Sequence, residues 1–326
     1  MAKTENLLNR LEALRQETGV ARTIFAVCPN SLSVIRASFR AAKRNNAPIY
    51  FAATLNQIDG DGGYTGMTQS MFTKMLQFEA DRVNYTGCSI VAIDHGGPWL
   101  KDKQRVEKWS TEDAMNGVKK SFEDAALAGY DLIHVDPTVD INVAKGDVID
   151  IHVVVRRTVE LIKHVEDFRA ANNLPEISYE VGTEEVHGGL ADETTFDTFL
   201  TELKSGLAEV GLAHVWPCFI VGKVGTDLDT AIFDPEVARN LTAKVRPHGS
   251  WIKGHYTDGV SNPEEYPLSG MGAANVGPEF TISEYEALKE LDALERRFEA
   301  EGKVAVLSNM AATLERLVYE SGRWIK

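Results

Sequence analysis

Side chains that can bind a metal ion or move a proton recur at the ends of apolar runs in this sequence. Asp94 and His95 follow the run SIVAI, and Glu180 lies within the run ISYEV. His255 ends the run SWIKGH, in which Lys253 lies two residues earlier on the same expected strand face. Imidazole and carboxylate together suit zinc, with manganese or cobalt as alternatives. A carboxyl group inside an apolar strand also needs a cation or strong hydrogen bonds. These residues therefore predict a divalent metal site, with the division between ligands and acid/base groups left open.

Other polar residues at the ends of the apolar runs belong to the same expected site. In chain order they are Asn56, Asp136, Glu184, Glu185, Asp227, Ser261, Asn275 and Gly277. Backbone N–H groups near Ser261 and Gly277, together with Lys253, are expected to hold a phosphate group. His134 lies in the middle of an apolar run, where a core or supporting role is expected.

Short apolar runs that alternate with amphipathic segments predict a parallel α/β sheet. The expected strands are Thr23–Val27, Ile49–Ala53, Ser89–Ile93, Leu132–Val135, Ile177–Val181, Val215–Val221, Ser250–His255 and Gly272–Val276. Eight strand–helix units predict a closed (β/α)8 TIM barrel, whose active site lies at the carboxyl ends of the strands. A doubly wound sheet is the rival, but it more often has a glycine-rich turn after the first strand.

The expected helices carry apolar residues at helical spacing. They are Ser31–Asn45, Thr68–Arg82, Thr111–Ala128, Ile149–Asn172, Phe196–Val210, Pro235–Val245, Ser283–Glu301 and Met310–Tyr319. Thr111 and Ser283 are the expected N-caps of their helices, and Glu286 completes a capping-box pattern with Ser283. We expect residues 1–326 to form a single barrel domain with an N-terminal helix and a C-terminal helical extension.

The composition excludes several classes of function. A formal net charge of -14 disfavours binding to nucleic acid or to an anionic membrane surface. The N-terminal segment lacks the apolar stretch of a signal peptide, and no run of about 18 apolar residues predicts a membrane span. The three cysteines form no CxxC pair, so a disulfide framework is not expected. We therefore expect a cytoplasmic protein that acts on a small molecule.

Several blocks of the sequence together resemble a known family. The blocks are NQIDGDGGYTGMT (Asn56–Thr68), AIDHGGP (Ala92–Pro98), AGYDLIHVD (Ala128–Asp136), ISYEVGTEEVHGG (Ile177–Gly189), GHYTDG (Gly254–Gly259) and NVGPEFT (Asn275–Thr281). They resemble the accessory ("non-catalytic") subunit family of class II tagatose-1,6-bisphosphate aldolase, which is also labelled a tagatose-6-phosphate kinase. The resemblance spans about residues 24–290. No P-loop pattern GxxxxGK[ST] supports the kinase label.

The resemblance extends to class II aldolases, which are zinc-dependent barrels, and it implies roles for individual residues. Asp94 matches the acid/base residue, and His95 and His255 match metal ligands. Glu180 matches a glutamate near the metal, and Glu184 or Glu185 matches an acid/base residue of a mobile loop. The resemblance also implies that Asn275 and Gly277 contact the phosphate or the substrate. The aldolases carry a further metal histidine after strand six, where this chain reads GKVGTDLDT. Either Asp227 or Asp229 takes its place, or the metal site is altered or lost.

Three functions are compatible with these residues. The first is metal-assisted retro-aldol chemistry on a ketose phosphate of the tagatose or fructose type, which gives either a cleavage or a C4 epimerisation. The second is a non-catalytic partner of a separate aldolase subunit, and a homo-oligomer is a further expectation. The third is an isomerase or epimerase for an unphosphorylated sugar, which would leave the expected phosphate turns unused.

Overall fold

A closed barrel of parallel strands forms the centre of the protein. The structure is a computed structural model and describes residues 1–144, 147–182, 193–227 and 230–322. Within these residues, eight strands pair in the order of the chain, and the last pairs with the first. The strands are β1 (Ile24–Val27), β2 (Ile49–Thr54), β3 (Ser89–Gly96), β4 (Leu132–Val135), β5 (Ser178–Gly182), β6 (Phe219–Val221), β7 (Trp251–Gly254) and β8 (Ala273–Val276). The predicted (β/α)8 TIM barrel is confirmed.

Helices follow the strands, with additional short helices in the loops. They are α1 (Lys3–Thr18), α2 (Leu32–Arg44), α3 (Gln69–Arg82), α4 (Asp102–Val106), α5 (Thr111–Leu127), α6 (Ile151–Ala171), α7 (Glu193–Glu209), α8 (Pro235–Val245), α9 (Glu265–Leu268), α10 (Pro278–Ala300) and α11 (Met310–Ser321). The sequence did not predict α4 and α9, because helices this short bear too few residues for a periodic pattern.

Two predicted helix caps are wrong. Ser110 caps α5 in place of Thr111, because its hydroxyl oxygen accepts the backbone N–H of Asp113 at 3.1 Å. Helix α10 begins at Pro278, five residues before the predicted cap at Ser283. Proline suits the first turn of a helix, since its fixed φ is helical and its missing N–H has no partner there.

The lower half of the barrel interior is apolar. Residues at alternate positions of the strands pack together there, with Leu8 of α1 among them. They include Ile24, Ala26, Tyr50, Ala52, Ile90, Ala92, Leu132, Phe219, Trp251 and Ala273. Side chains alternate between the two faces of a strand, so the next inward positions toward the carboxyl ends lie directly above this core.

A β-bulge interrupts β3 where it reaches the carboxyl end of the barrel. Ile93 pairs with Ile133, but Gly96 pairs with Val135, so β3 has one residue more than β4 over this stretch. The extra residue changes the alternation of side chains in β3. His95 lies within the bulge and has a φ of 48°, in the left-handed region that few residues other than glycine adopt.

The chain separates into two compact units, Met1–Val276 and Gly277–Lys326. The first contains the whole barrel. The second contains α10 and α11, which are joined by a hydrogen bond that the Tyr285 hydroxyl donates to the Glu315 carboxylate. The prediction that the chain is a single domain with a helical extension stays a prediction. Among the helices of the described residues, none combines the length and apolar character that crossing a membrane requires.

The carboxyl ends of β3 and β4 approach each other closely at Gly97. A Cβ atom added to Gly97 would lie 1.7 Å from the carbonyl oxygen of Asp136. We expect Gly97→Ala to lower the free energy of unfolding by about 3 kcal/mol, because the backbone of one strand end must move. Urea denaturation measures the change. Gly60→Ala is the control, since its added Cβ would lie 3.4 Å from the nearest atom. Equal losses for the two variants would contradict this assignment.

Candidate active site at the carboxyl ends of the strands

Ionisable side chains occupy the inward positions directly above the apolar layer. Along β4, His134 follows Leu132 on the inner face, and along β7 Lys253 follows Trp251 in the same way. Glu180 of β5 pairs in register with His134. All three side chains are at most 2% exposed, although each can carry a charge. Burial of this kind requires that the charges neutralise one another.

Lys253 lies at the centre of this group. Its Nζ atom is 2.8 Å from both carboxylate oxygens of Glu180 and 3.4 Å from Oδ1 of Asp94. The Nε2 atom of His255 lies 3.3 Å from the same nitrogen. Burial alone would lower the pKa of Lys253, but the charges of Glu180 and Asp94 outweigh it and raise the pKa. Lys253 is therefore a buried ammonium group that the carboxylates of Glu180 and Asp94 surround, and its contact with a phosphate stays a prediction.

The same charges hold both carboxyl groups in their ionised form. Burial would raise the pKa of Glu180, but Lys253 above all brings it down to about 2. Burial acts on Asp94 in the same direction, and the charges of Lys253 and His95 hold its pKa well below the ordinary value. Asn275 donates from Nδ2 to Asp94 Oδ1 at 3.0 Å and fixes the carboxylate further. Both groups are thus ionised near neutral pH.

The bulge in β3 brings His95 into the site beside Asp94. Neighbouring residues of a regular strand point to opposite faces. Here the ring of His95 nevertheless lies 4.4 Å from the ring of His255, and Asp94 Oδ1 lies 3.7 Å from His255 Nε2. Nδ1 of His95 contacts Asp136 Oδ2 at 2.7 Å. Burial would lower the pKa of His95, but Asp94 and Asp136 together raise it. A carboxylate on one ring nitrogen orients the other nitrogen, as in many metal-binding histidines.

His134 is held by the backbone of the neighbouring strand. Its Nδ1 atom accepts the backbone N–H of His95 at 3.1 Å. An accepting Nδ1 carries no proton, so this atom donates no hydrogen bond to Glu180 at 3.5 Å or to Asp94 at 3.9 Å. His134 thus supports the bulge that presents His95, which agrees with the supporting role expected from the sequence.

The residues present fit a divalent metal ion. Asp94, His134, Glu180 and His255 are buried, and each offers a ligand atom within 4.8 Å of the others. His95, His134 and Asp136 form a second such group. Two imidazoles with carboxylate oxygens are donors that zinc and manganese accept. Lys253 Nζ lies within this first group, so an ion bound by Glu180 would share its space.

Other predicted residues lie in different surroundings. Asn56 accepts the backbone N–H of Asp102 at 2.9 Å and donates to the carbonyl of Leu100 at 3.0 Å, so its amide supports a loop. The carboxylate of Asp227 pairs with Lys223 at 2.8 Å, and neither group of potential ligands includes it. Its role as a ligand stays a prediction.

Three further predictions concern the loops. Ser261 is exposed after β7, and Gly277 precedes α10 as its N-cap, so their phosphate contacts stay predictions. Glu184 and Glu185 lie outside the described residues, as does Asp229.

The sequence analysis missed a contact of Cys28. Its Sγ atom lies 3.7 Å from Asp94 Oδ2, and burial raises its pKa well above the usual value. The alternation of side chains along β1 could have predicted this contact. Ile24 and Ala26 point into the barrel, so Cys28 is the next inward position toward the site.

A closed parallel barrel with buried carboxylates and imidazoles at the carboxyl ends of its strands defines a TIM-barrel protein of the kind that carries its functional site there. The family described as "D-tagatose-1,6-bisphosphate aldolase subunit GatZ/KbaZ-like" matches residues 8–326. This chain belongs to that family, and the resemblance expected from the sequence is confirmed.

Solved structures with the same fold include aldolases. A probable tagatose 6 phosphate kinase from Sinorhizobium meliloti 1021 aligns with a TM-score of 0.77 at 24% identity, over 93% of this chain and 76% of its own. Fructose-bisphosphate aldolase from Campylobacter jejuni aligns with a TM-score of 0.61 at 12% identity, over 90% and 81%. The YdjI aldolase from Escherichia coli K12 aligns with a TM-score of 0.56 at 14% identity, over 89% and 86%.

The hydrogen bond from His95 to His134 gives a test of the bulge. We expect His134→Leu to lower the free energy of unfolding by about 2 kcal/mol more than His134→Asn, because leucine leaves a buried N–H without an acceptor. The asparagine Oδ1 atom can take the place of Nδ1 and accept the His95 N–H. Urea denaturation of both variants measures the difference. Equal stabilities would show that this hydrogen bond does not hold the bulge.

Proposed function

We propose that this protein is a metal-dependent enzyme that acts on a ketose phosphate by retro-aldol chemistry. Two observations together carry the proposal: Asp94, Glu180 and His255 offer ligand atoms within 4.8 Å of one another, and the ring of His95 lies 4.4 Å from the ring of His255. His95, Glu180 and His255 would hold the ion, which is zinc or else manganese or cobalt. Membership of an aldolase subunit family supports a substrate of the tagatose or fructose phosphate type.

When bound, a divalent ion supplies Lewis-acid polarisation of carbonyl and hydroxyl oxygens. The residues of the chain provide the proton transfer. The ionised Asp94 carboxylate accepts the proton of the C4 hydroxyl group while the C3–C4 bond breaks. The bonding electrons pass to the C2–C3 fragment as an enediolate, and C4 becomes an aldehyde carbon. Asn275 holds Asp94 in place during this step.

The fate of the aldehyde decides between two outcomes. If the aldehyde turns over within the site, the C–C bond re-forms on its other face, and Asp94 returns the proton to give the C4 epimer. If the aldehyde leaves, the reaction is an aldol cleavage. The proposed acid/base group Asp94 is buried, and exclusion of water from the reacting atoms supports retention of both fragments. We therefore favour C4 epimerisation over cleavage.

A second candidate function is an accessory role beside a separate aldolase subunit. The printed description of the family, an aldolase subunit, favours it. In that role the buried ionisable groups would stabilise the barrel, and no turnover would be expected from this chain alone.

The first measurement is metal content by mass spectrometry, combined with an NMR assay on fructose 6-phosphate and tagatose 6-phosphate. We expect bound zinc or manganese and interconversion at C4, which EDTA abolishes and the metal restores. Triose products would indicate an aldolase. If the protein holds no metal and shows no turnover, the enzyme proposal is overturned. The next experiment would then be gel filtration with a class II aldolase, in which co-elution would support the accessory role.

Single substitutions test the proposed division of roles. His95→Ala and His255→Ala are each expected to abolish metal binding, because a ligand is lost in each. Asp94→Asn is expected to keep the metal while turnover falls by about 100-fold or more, because the amide cannot accept the proton. His152→Ala is the matched control, since this histidine lies on an outer helix and pairs with Glu202. Full metal occupancy in the His95 or His255 variant would exclude that residue as a ligand.

A further inference from the structure

We propose that the Lys253 ammonium group is the resident cation of this site, and that a divalent ion binds to Glu180 only by displacing it. This inference rests on the proposed function, since it concerns the same metal site. It explains how the barrel can keep two buried carboxylates when no metal is bound. It also predicts that Lys253 lowers the affinity of the site for metal.

The geometry around Nζ is that of an ion-binding cage. The two Glu180 oxygens lie at 2.8 Å, Asp94 Oδ1 at 3.4 Å and His255 Nε2 at 3.3 Å. An ammonium group has three protons to donate, and three carboxylate oxygens face it, while His255 Nε2 also contacts Glu180 Oε1 at 3.0 Å. All three residues that supply these atoms belong to the buried group that could hold a metal, so Lys253 and a metal ion would share Glu180 and His255.

The two cations cannot occupy this cage together. Lys253 is fully buried, and so is Glu180, so little water separates charges placed there. Like charges in contact repel strongly where the effective dielectric constant is low. A divalent ion that binds both Glu180 oxygens must therefore take the place of Nζ. The favourable interaction between Lys253 and the carboxylates is lost when the metal binds, and this loss lowers the affinity of the site for metal.

Removal of the ammonium should expose this competition. Lys253→Met keeps the length and apolar stem of the side chain and leaves Glu180 and Asp94 without their cation. In EDTA we expect its melting temperature to fall by about 6–10 °C, because a buried ion pair has lost one partner. Zinc should restore most of this loss, and chelator competition should show zinc affinity at least about tenfold above that of the natural protein.

Two further variants make the result decisive. Lys101→Met is the matched control, since this lysine also pairs with two carboxylates, Asp59 and Asp61, and lies outside both groups of potential ligands. Its melting temperature should not respond to zinc more than that of the natural protein. The double variant Lys253→Met with Glu180→Gln removes both charges, and we expect it to fold in EDTA and to lose the gain in zinc affinity.

Each outcome decides the inference separately from the proposed function. Equal or weaker zinc affinity in Lys253→Met, or a loss of stability that zinc does not restore, would overturn the displacement. If Lys253→Met folds in neither EDTA nor zinc while the double variant folds, the ammonium cannot be replaced and the inference is wrong. Tighter zinc binding without turnover of sugar phosphates by the natural protein would support the displacement while the proposed enzyme activity fails.

Discussion

The ion pair between Lys253 and Glu180 is the interaction on which the carboxyl end of the barrel depends. Glu180 stands inside a strand with no access to solvent, where an unpaired carboxylate would be strongly destabilising. The ammonium group balances it and also reaches Asp94, so three strands are joined through one nitrogen atom. The apolar layer below excludes water and strengthens these contacts. The charges of these groups are therefore balanced before any ligand binds.

Several polar residues near the strand ends form hydrogen bonds with other side chains or with the backbone and support the residues of the site. Asp136 orients His95, and Thr138 donates to the other oxygen of Asp136 at 2.5 Å. Asn56 uses its amide to hold the loop before α4. Such contacts hold the side chains of the site in place. The geometry of a metal ligand depends on the hydrogen bonds that its neighbours make to it.

The sequence sufficed for the barrel because apolar runs and amphipathic segments alternate along most of the chain. It also placed Asp94, Glu180 and His255 at the same end, since all strands of a parallel barrel point in one direction. It placed Lys253 on the same strand face as His255 but could not predict its contact with Glu180, because strand alternation shows that a side chain points inward but not which group neutralises it. The sequence also could not show how the neighbouring residues Asp94 and His95 both point into the site, because the bulge that allows this depends on the pairing of β3 with β4.

The left-handed backbone conformation of His95 also limits which substitutions this position can accept. Only glycine adopts such a conformation freely, and for other residues it costs about 1–2 kcal/mol. Replacement by glycine would thus relax the strand while it removes the imidazole. The backbone conformation alone favours glycine at this position, whereas the contact of the imidazole with the buried Asp136 carboxylate and its place in the site favour histidine. The conformational cost at this residue is therefore retained for the sake of a side chain that only histidine supplies.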